Sequence, residues 1–139
     1  LANKIININE KKSKRINGTV NFASHNYKIK LENNLYLQKE LSITTWNWSN
    51  VIFIFLNAEV LSGYNIENFK NKNVICVGYS NGMLGYLPTE KDINAGGYEV
   101  DKSRKNFQID SRISLESEKF IKEKIVDTIK KLLSYEKEI

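Results

Sequence analysis

The sequence predicts a mixed α/β fold, with α+β as the alternative, in which a β-sheet contains a strand–helix–strand crossover and a long helix ends the chain. Three observations predict it. Val51–Leu56 is apolar on both faces, which is typical of a strand in the middle of a sheet. A second apolar run follows at residues 74–77. Near the C-terminus, apolar residues recur at helical spacing from Ile121 to Leu132.

The first half of the chain predicts further strands. Residues 4–9 and 16–31 alternate loosely between apolar and polar side chains, which is the period of a strand. Residues 40–48 do the same with β-branched and aromatic side chains. The polar residues at 47–50 then predict a turn before the buried strand Val51–Leu56.

A helix is predicted between the two apolar runs. Asn57 can cap a helix that begins near Ala58 and ends near residues 71–73. With a strand on either side, this order indicates a parallel crossover. The region from 74 to 100 holds five of the seven glycines, and Pro88 prevents a long helix there. Thr89 is predicted to cap a short one.

The last helix is the clearest element of the sequence. Ser114 is its expected N-cap, and Glu118 lies in a first turn, where the helix dipole favours acids. Glu118 with Lys122, and Asp127 with Lys131, have the spacing of stabilising ion pairs. One apolar stripe faces a sheet or a partner: Ile121, Ile125, Ile129, Leu132 and Leu133.

Length and composition predict one domain, 1–139, with a core of ordinary size. Because the first residue is Leu1, we expect an excised domain or a processed product. The net charge of +5 is spread widely, and the basic clusters at 11–15 and 102–105 lack interleaved aromatic residues, so no nucleic-acid partner is predicted. Cys76 cannot form an internal disulfide and is predicted to be a small core residue.

Ser80 and His25 suggest a serine hydrolase, but their sequence context does not favour that interpretation. Gly78-x-Ser80-x-Gly82 after a strand is the pattern of a nucleophile elbow. An elbow serine leads directly into a helix, yet glycines and Pro88 interrupt the next ten residues. The only histidine, His25, precedes the serine, whereas the triad order requires it to follow. We therefore expect Ser80 not to be a nucleophile and His25 to be a strand or loop residue.

Glu59 and Tyr98 are the candidate site residues. Glu59 directly follows a buried strand, and ligands of parallel sheets collect at the carboxyl ends of strands. Its structural interpretation, an acid in the first turn of a helix, is modestly favoured by spacing alone. Tyr98 follows two glycines, and a bound cation would stabilise its deprotonated form. An aromatic residue packed over a turn is its modestly favoured alternative, and Tyr86 is by default a turn or core residue.

The glycine-rich region nevertheless carries an ordered motif: Asn81-Gly82-x-x-Gly85-Tyr86-x-Pro88-Thr89, followed by Gly96-Gly97-Tyr98-Glu99. This motif resembles the neutral/alkaline ceramidase family, and the Gly-Gly-Tyr-Glu is similar to that of its bacterial ceramidase-like branch. Upstream, Leu56-Asn57-Ala58-Glu59-Val60 is similar to the family's Pro-Gly-Glu segment at the end of a buried strand. The resemblance covers residues 38–135, and its specific part is the block 78–100.

The resemblance implies a zinc amide hydrolase that cleaves N-acyl sphingoid amides into a fatty acid and a sphingoid base. The zinc of the family is held by two histidines, a glutamate and a tyrosine, and by motif Glu59 and Tyr98 correspond to the last two. The histidines and the serine that takes part in hydrolysis lie in an N-terminal half of the family that is absent here. The resemblance thus implies that this chain holds no catalytic residue and that the chain alone binds zinc weakly. It also implies two partners, which are the N-terminal half of the parent protein and a lipid-like amide substrate.

A non-catalytic binding or interaction domain on the same scaffold is the alternative function. Asn57-Ala58 stands where the family has Pro-Gly, and no tyrosine occurs between Val100 and Ser134, where the family carries a further active-site tyrosine. A lipid-surface module that uses the basic charge is a third possibility. In each case the removal of a neighbouring half exposes apolar surface, so we expect self-association.

Overall fold

The computed structural model describes residues 16–64, 66 and 69–134. The strand predicted at residues 4–9 lies outside them. The described elements follow one another as β1 (Val20–Tyr27), β2 (Leu41–Trp48), β3 (Val51–Leu56), β4 (Glu59–Val60), β5 (Asn73–Val77), β6 (Tyr86–Leu87), α1 (Glu90–Ala95) and α2 (Ser117–Ser134). Between α1 and α2 the chain forms a π-helical turn, Tyr98–Lys102, and a 3-10 helix, Ser103–Phe107.

Four strands form a mixed sheet in the order β1-β2-β3-β5. β1 and β2 are antiparallel, as are β2 and β3, whereas β5 runs parallel to β3. The predicted turn at residues 47–50 joins β2 to β3, with Ser49 at a φ of 56°, as tight hairpins require. A mixed sheet with a long final helix confirms the predicted class, in its α+β form.

The connection between β3 and β5 differs from the prediction. Their parallel pairing is as expected, but the helix predicted from Ala58 is wrong, because Glu59–Val60 form β4 and pair with Tyr86–Leu87 of β6. The Glu59 N–H donates to the Gly85 carbonyl at 2.9 Å. These backbone partners come from more than twenty residues further along the chain, so a local pattern cannot reveal them.

Helix α2 covers one face of the sheet, which we call the inner face. It packs on β1 and β2, and the Thr128 hydroxyl lies 3.3 Å from the Tyr27 hydroxyl of β1. The stripe predicted on α2 is buried, and it meets isoleucines and leucines of the strands. The fully buried side chains of this core are Ile29, Leu41, Ile43, Ile52, Ile54, Leu56, Leu87, Ile93, Ile121, Ile125, Ile129 and Leu132.

The ends and ion pairs of α2 only partly follow the prediction. The helix begins at Ser117 rather than next to Ser114, because Ser114 forms a turn whose carbonyl accepts from the Ser117 N–H at 3.0 Å. Lys122 forms the predicted ion pair with Glu118 at 2.6 Å. The Asp127 carboxylate lies 3.7 Å from the Lys124 ammonium, one turn before Asp127, rather than pairing with the predicted partner Lys131, one turn after it.

The opposite face of the sheet, the outer face, is apolar and exposed. We define it by Phe22, Trp46, Trp48, Phe53, Phe55, Ile75 and Val77, which the strand register places side by side. All seven side chains are exposed or half-buried. Trp46 and Phe55 lie at its centre, with their ring centroids 4.7 Å apart.

Helix α1 begins as predicted. Thr89 is its N-cap and forms a capping box with Asp92, in which each backbone N–H donates to the other side chain. Among the described residues, no helix has both the length and the apolar character that crossing a membrane requires.

Candidate functional site

Glu59 lies where the parallel strands β3 and β5 end, as the sequence predicts for a site residue. Asn57 and buried Ala58 separate it from β3, and Gly78 follows β5 directly. A Cβ on Gly78 would lie 2.9 Å from the Ala58 carbonyl oxygen, so only glycine fits this close approach. The next residue, Tyr79, donates its N–H to the same carbonyl at 3.0 Å. Backbone contacts therefore hold the ends of β3 and β5 together next to Glu59.

Tyr79 turns back over Glu59. Its φ is 56°, a conformation that non-glycine residues adopt rarely and that is found at functional sites when the surroundings enforce it. The Tyr79 hydroxyl donates a hydrogen bond to the Glu59 carboxylate. This bond raises the pKa of Tyr79 to about 12, because loss of the proton would leave two negative charges in contact.

Tyr86 connects Glu59 to Tyr98. It lies directly opposite Glu59 in the β4–β6 pair, and hydrogen bonding to the Glu59 carboxylate raises the pKa of Tyr86. The Tyr98 ring packs edge-on against Tyr86 with a centroid distance of 6.3 Å. The structure thus brings both predicted site residues to the same tyrosine. We call Glu59, Tyr79, Tyr86 and Tyr98 the Glu59 cluster.

The backbone turn before Tyr98 is held by side chains. Gly96 and Gly97 have φ values of 69° and 114°, so the predicted sharp bend is present. The Asp101 carboxylate accepts from the Gly97 N–H at 3.0 Å and from Arg112 Nε at 2.6 Å. The Arg112 guanidinium holds the pKa of Asp101 below its usual range. Tyr98 itself is 50% exposed.

The cluster offers oxygen donors for a metal but not a complete set. A catalytic zinc takes at least three protein ligands, commonly histidines together with a carboxylate. Within residues 16–64, 66 and 69–134, no group of three or more His, Cys, Asp or Glu side chains could hold a metal ion. A zinc site that included Glu59 and Tyr98 would need further donors beyond these two residues.

The serine elbow is absent from the structure. The Ser80 hydroxyl donates to the backbone carbonyls of Val77 and Gly78, each at 3.3 Å. The described residues that follow Ser80 form bends and β6 rather than a helix. His25 lies in β1 opposite Ile43, which confirms its interpretation as a strand residue.

Cys76 contributes to the core rather than to a site. It is half-buried on β5 and packs against the inner-face cluster, as predicted. Burial raises the pKa of its thiol to about 11, so the reactive thiolate is scarce at neutral pH.

Sequence reasoning missed Tyr79 and Tyr86 as site residues. Tyr86 was assigned by default to a turn or the core, although it belongs to the ordered motif of the glycine-rich region. Tyr79 carried one usable signal, its position directly after a strand and a glycine. Tyr86 reaches Glu59 through the β4–β6 pairing, and Tyr79 reaches it through the close approach at Gly78; no local pattern indicates either contact.

Comparisons with known proteins identify no relative of this chain. No family model, no curated protein and no solved structure matches this chain. The functional argument therefore depends on the sequence motif and on the geometry of the Glu59 cluster.

Proposed function

We propose that this chain is the C-terminal part of a ceramidase-like zinc amide hydrolase. The parent protein cleaves an N-acyl sphingoid amide into a fatty acid and a sphingoid base, and Glu59 and Tyr98 are two of its four zinc ligands. The observation that carries the proposal is the Glu59 cluster. A glutamate at the end of a buried strand is hydrogen-bonded by Tyr79 and Tyr86, and Tyr98 lies against Tyr86.

The hydrogen bonds within the cluster support a ligand role for Glu59. Carboxylates that bind metals are oriented by hydrogen bonds from outer-shell groups, and Tyr79 and Tyr86 are placed to do this. In the parent, zinc would polarise the amide carbonyl and activate water. The two histidines and the serine would come from polypeptide that precedes this chain. With two oxygen donors only, the chain alone binds zinc weakly and hydrolyses nothing.

Zinc titration by calorimetry on the whole 139-residue chain tests this assignment. We expect weak binding that Glu59→Gln abolishes. The matched control is Glu123→Gln, which removes an exposed carboxylate on α2 and should leave the titration unchanged. Sub-micromolar affinity that requires Glu59 would contradict the half-site. Weak binding that survives Glu59→Gln would contradict the ligand role of Glu59.

The coding sequence upstream of Leu1 provides an independent test of the parent. We expect it to encode paired histidines in an N-terminal half. An upstream segment without them would remove the enzyme interpretation, whatever the zinc titration shows.

A non-catalytic interaction domain is the second candidate, and the outer face favours it. Large exposed apolar surfaces on a folded domain mark contacts with other macromolecules. On this view the scaffold is retained for binding alone. Substitution of Glu59 would then leave binding of the partner intact, whereas substitution of Phe22 or Trp46 would abolish it.

A further inference from the structure

The outer face exposes apolar side chains to water, which is energetically unfavourable. Phe22 is 71% exposed, and Trp46 and Ile75 are each more than two-fifths exposed. At the usual size of such side chains, these three together with Val20 leave on the order of 400 Å² of apolar surface open. A monomeric soluble protein rarely exposes a continuous apolar patch larger than a few hundred Å². The size of this patch therefore indicates that a partner binds to the outer face.

The chemistry of the face restricts that partner to an apolar one. None of the strand residues that point outward carries a charge; they are Val20, Phe22, Ser24, Asn26, Ser42, Thr44, Trp46, Trp48, Val51, Phe53, Phe55, Asn73, Ile75 and Val77. An anionic or cationic ligand would find no complementary group here. An uncharged face also allows two copies of a chain of net charge +5 to approach without like charges in contact.

We propose that the outer face is a dimer interface on which a second copy of this chain packs face to face. This inference goes beyond the proposed hydrolase and does not depend on it. A two-fold axis places the same patch on both partners, so an uncharged patch with an apolar centre is complementary to itself. Two sheets packed in this way form a sandwich with a core about 10 Å thick. The half-buried Trp48, Phe53 and Phe55 bring the patch to on the order of 500 Å², below the roughly 800 Å² per partner of a standard interface, so the dimer is a weak one.

Pairing of two β1 edges is a different dimer, and the structure favours it less. β1 lies at the edge of the described sheet and has eight residues without Lys, Glu or Pro, so a strand of a second copy could pair with it. Edge pairing would leave Trp46 and Phe55 as exposed as before, because they lie on the central strands β2 and β3. Only face-to-face packing buries them.

Sedimentation velocity from low to high micromolar concentration tests the proposal. We expect the wild-type chain to be a dimer. The double variant Phe22→Lys, Ile75→Lys should weaken it on the order of a hundredfold, because each charge acts twice across a two-fold interface. The matched control is Leu35→Ser, which removes a side chain that is 59% exposed but lies outside the sheet. It should leave the dimer intact.

Tryptophan fluorescence provides a readout that needs no substitution. Trp46 and Trp48 are the only tryptophans of the chain and both belong to the outer face. Dilution of the wild-type dimer should therefore shift their emission to longer wavelength. This readout decides the question if the double variant does not fold.

Three results would overturn the proposal. The first is a wild-type chain that stays monomeric throughout, with its tryptophans either open to iodide quenching or shielded by residues outside the described part of the chain. The second is a dimer that resists the double variant, as a β1-edge dimer would. The third is a dimer that Leu35→Ser weakens as much. Zinc binding through Glu59 is independent of all three, so the failure of this proposal and that of the hydrolase are distinguishable.

Discussion

The inner and outer faces of the four-stranded sheet are built from similar amounts of apolar side chain but have opposite surroundings. On the inner face, Ile43 and Ile54 are fully buried in the core to which α2 contributes. On the outer face, Trp46 and Phe53 stand next to them along the same strands and remain exposed or half-buried. Aliphatic residues dominate the covered face, and aromatic residues dominate the open one.

The difference teaches that burial in this sheet is decided by what packs on it rather than by hydrophobicity. Helix α2 packs its apolar stripe on the inner face. The buried isoleucines of that stripe are at positions 121, 125 and 129. Aromatic side chains such as Trp46 provide large contact areas with few rotatable bonds, which suits an interface more than a core. The faces should therefore respond differently to the same substitution.

The largest expected effect comes from deleting the same atoms on the two faces. Ile54→Ala removes a fully buried side chain and should lower the free energy of unfolding by about 3 kcal/mol, because a cavity remains in the core. Ile75→Ala, on the neighbouring strand β5 but 45% exposed, should cost less than about 1 kcal/mol. Urea denaturation at low protein concentration measures both. Equal losses of unfolding free energy in the two variants would show that the outer face is covered as completely as the inner face.

A second test uses the adjacent threonines of β2, which point to opposite faces. The Thr45 hydroxyl is fully buried on the inner face and has no hydrogen-bond partner among the described residues. Thr45→Val removes an unsatisfied polar group, so we expect a gain of about 1 kcal/mol in the free energy of unfolding. Thr44→Val is the matched control; it loses a 2.7 Å hydrogen bond to exposed Ser24 and should produce no gain. Destabilisation by Thr45→Val would show that its hydroxyl is paired.

The smallest effect concerns the acid side of the stability profile. The pKa of Glu118 is lowered in the folded chain, first by hydrogen bonding to Lys122 and further by the Glu90 N–H. A lowered pKa adds stability above the unfolded value of about 4.3, and this is lost as the pH falls through the folded value. Glu118→Gln should therefore cost about 0.5 kcal/mol at neutral pH and flatten the loss of stability in acid. Thermal unfolding from pH 7 to pH 3 measures this; an unchanged acid slope would contradict the role of the α2 ion pair.

The sequence predicts the elements that have strong local signals. Val51–Leu56 is recognisable because it is apolar at every position, and α2 because its isoleucines repeat at helical spacing. Thr89 is recognisable because a capping residue follows a proline. In each of these segments the side-chain period and the final environment agree, so reasoning from the residues alone is sufficient.

The missed features depend on contacts between distant parts of the chain. The segment after Ala58 has acceptable helical residues, but pairing with β6 makes it a strand. For the candidate site, the position of Glu59 at a strand end could be predicted, whereas its tyrosine partners could not. Tyr79 reaches Glu59 only through the close approach that Gly78 allows.

The contact between β1 and α2 joins the beginning of the described chain to its end. The hydroxyls of Tyr27 and Thr128, 101 residues apart in sequence, lie 3.3 Å from each other. Protein synthesis proceeds from the N-terminus, so a nascent chain has all its strands before α2 leaves the ribosome. Until then both faces of the sheet are open to solvent. The nascent chain is thus most dependent on chaperones between the synthesis of β6 and the emergence of α2.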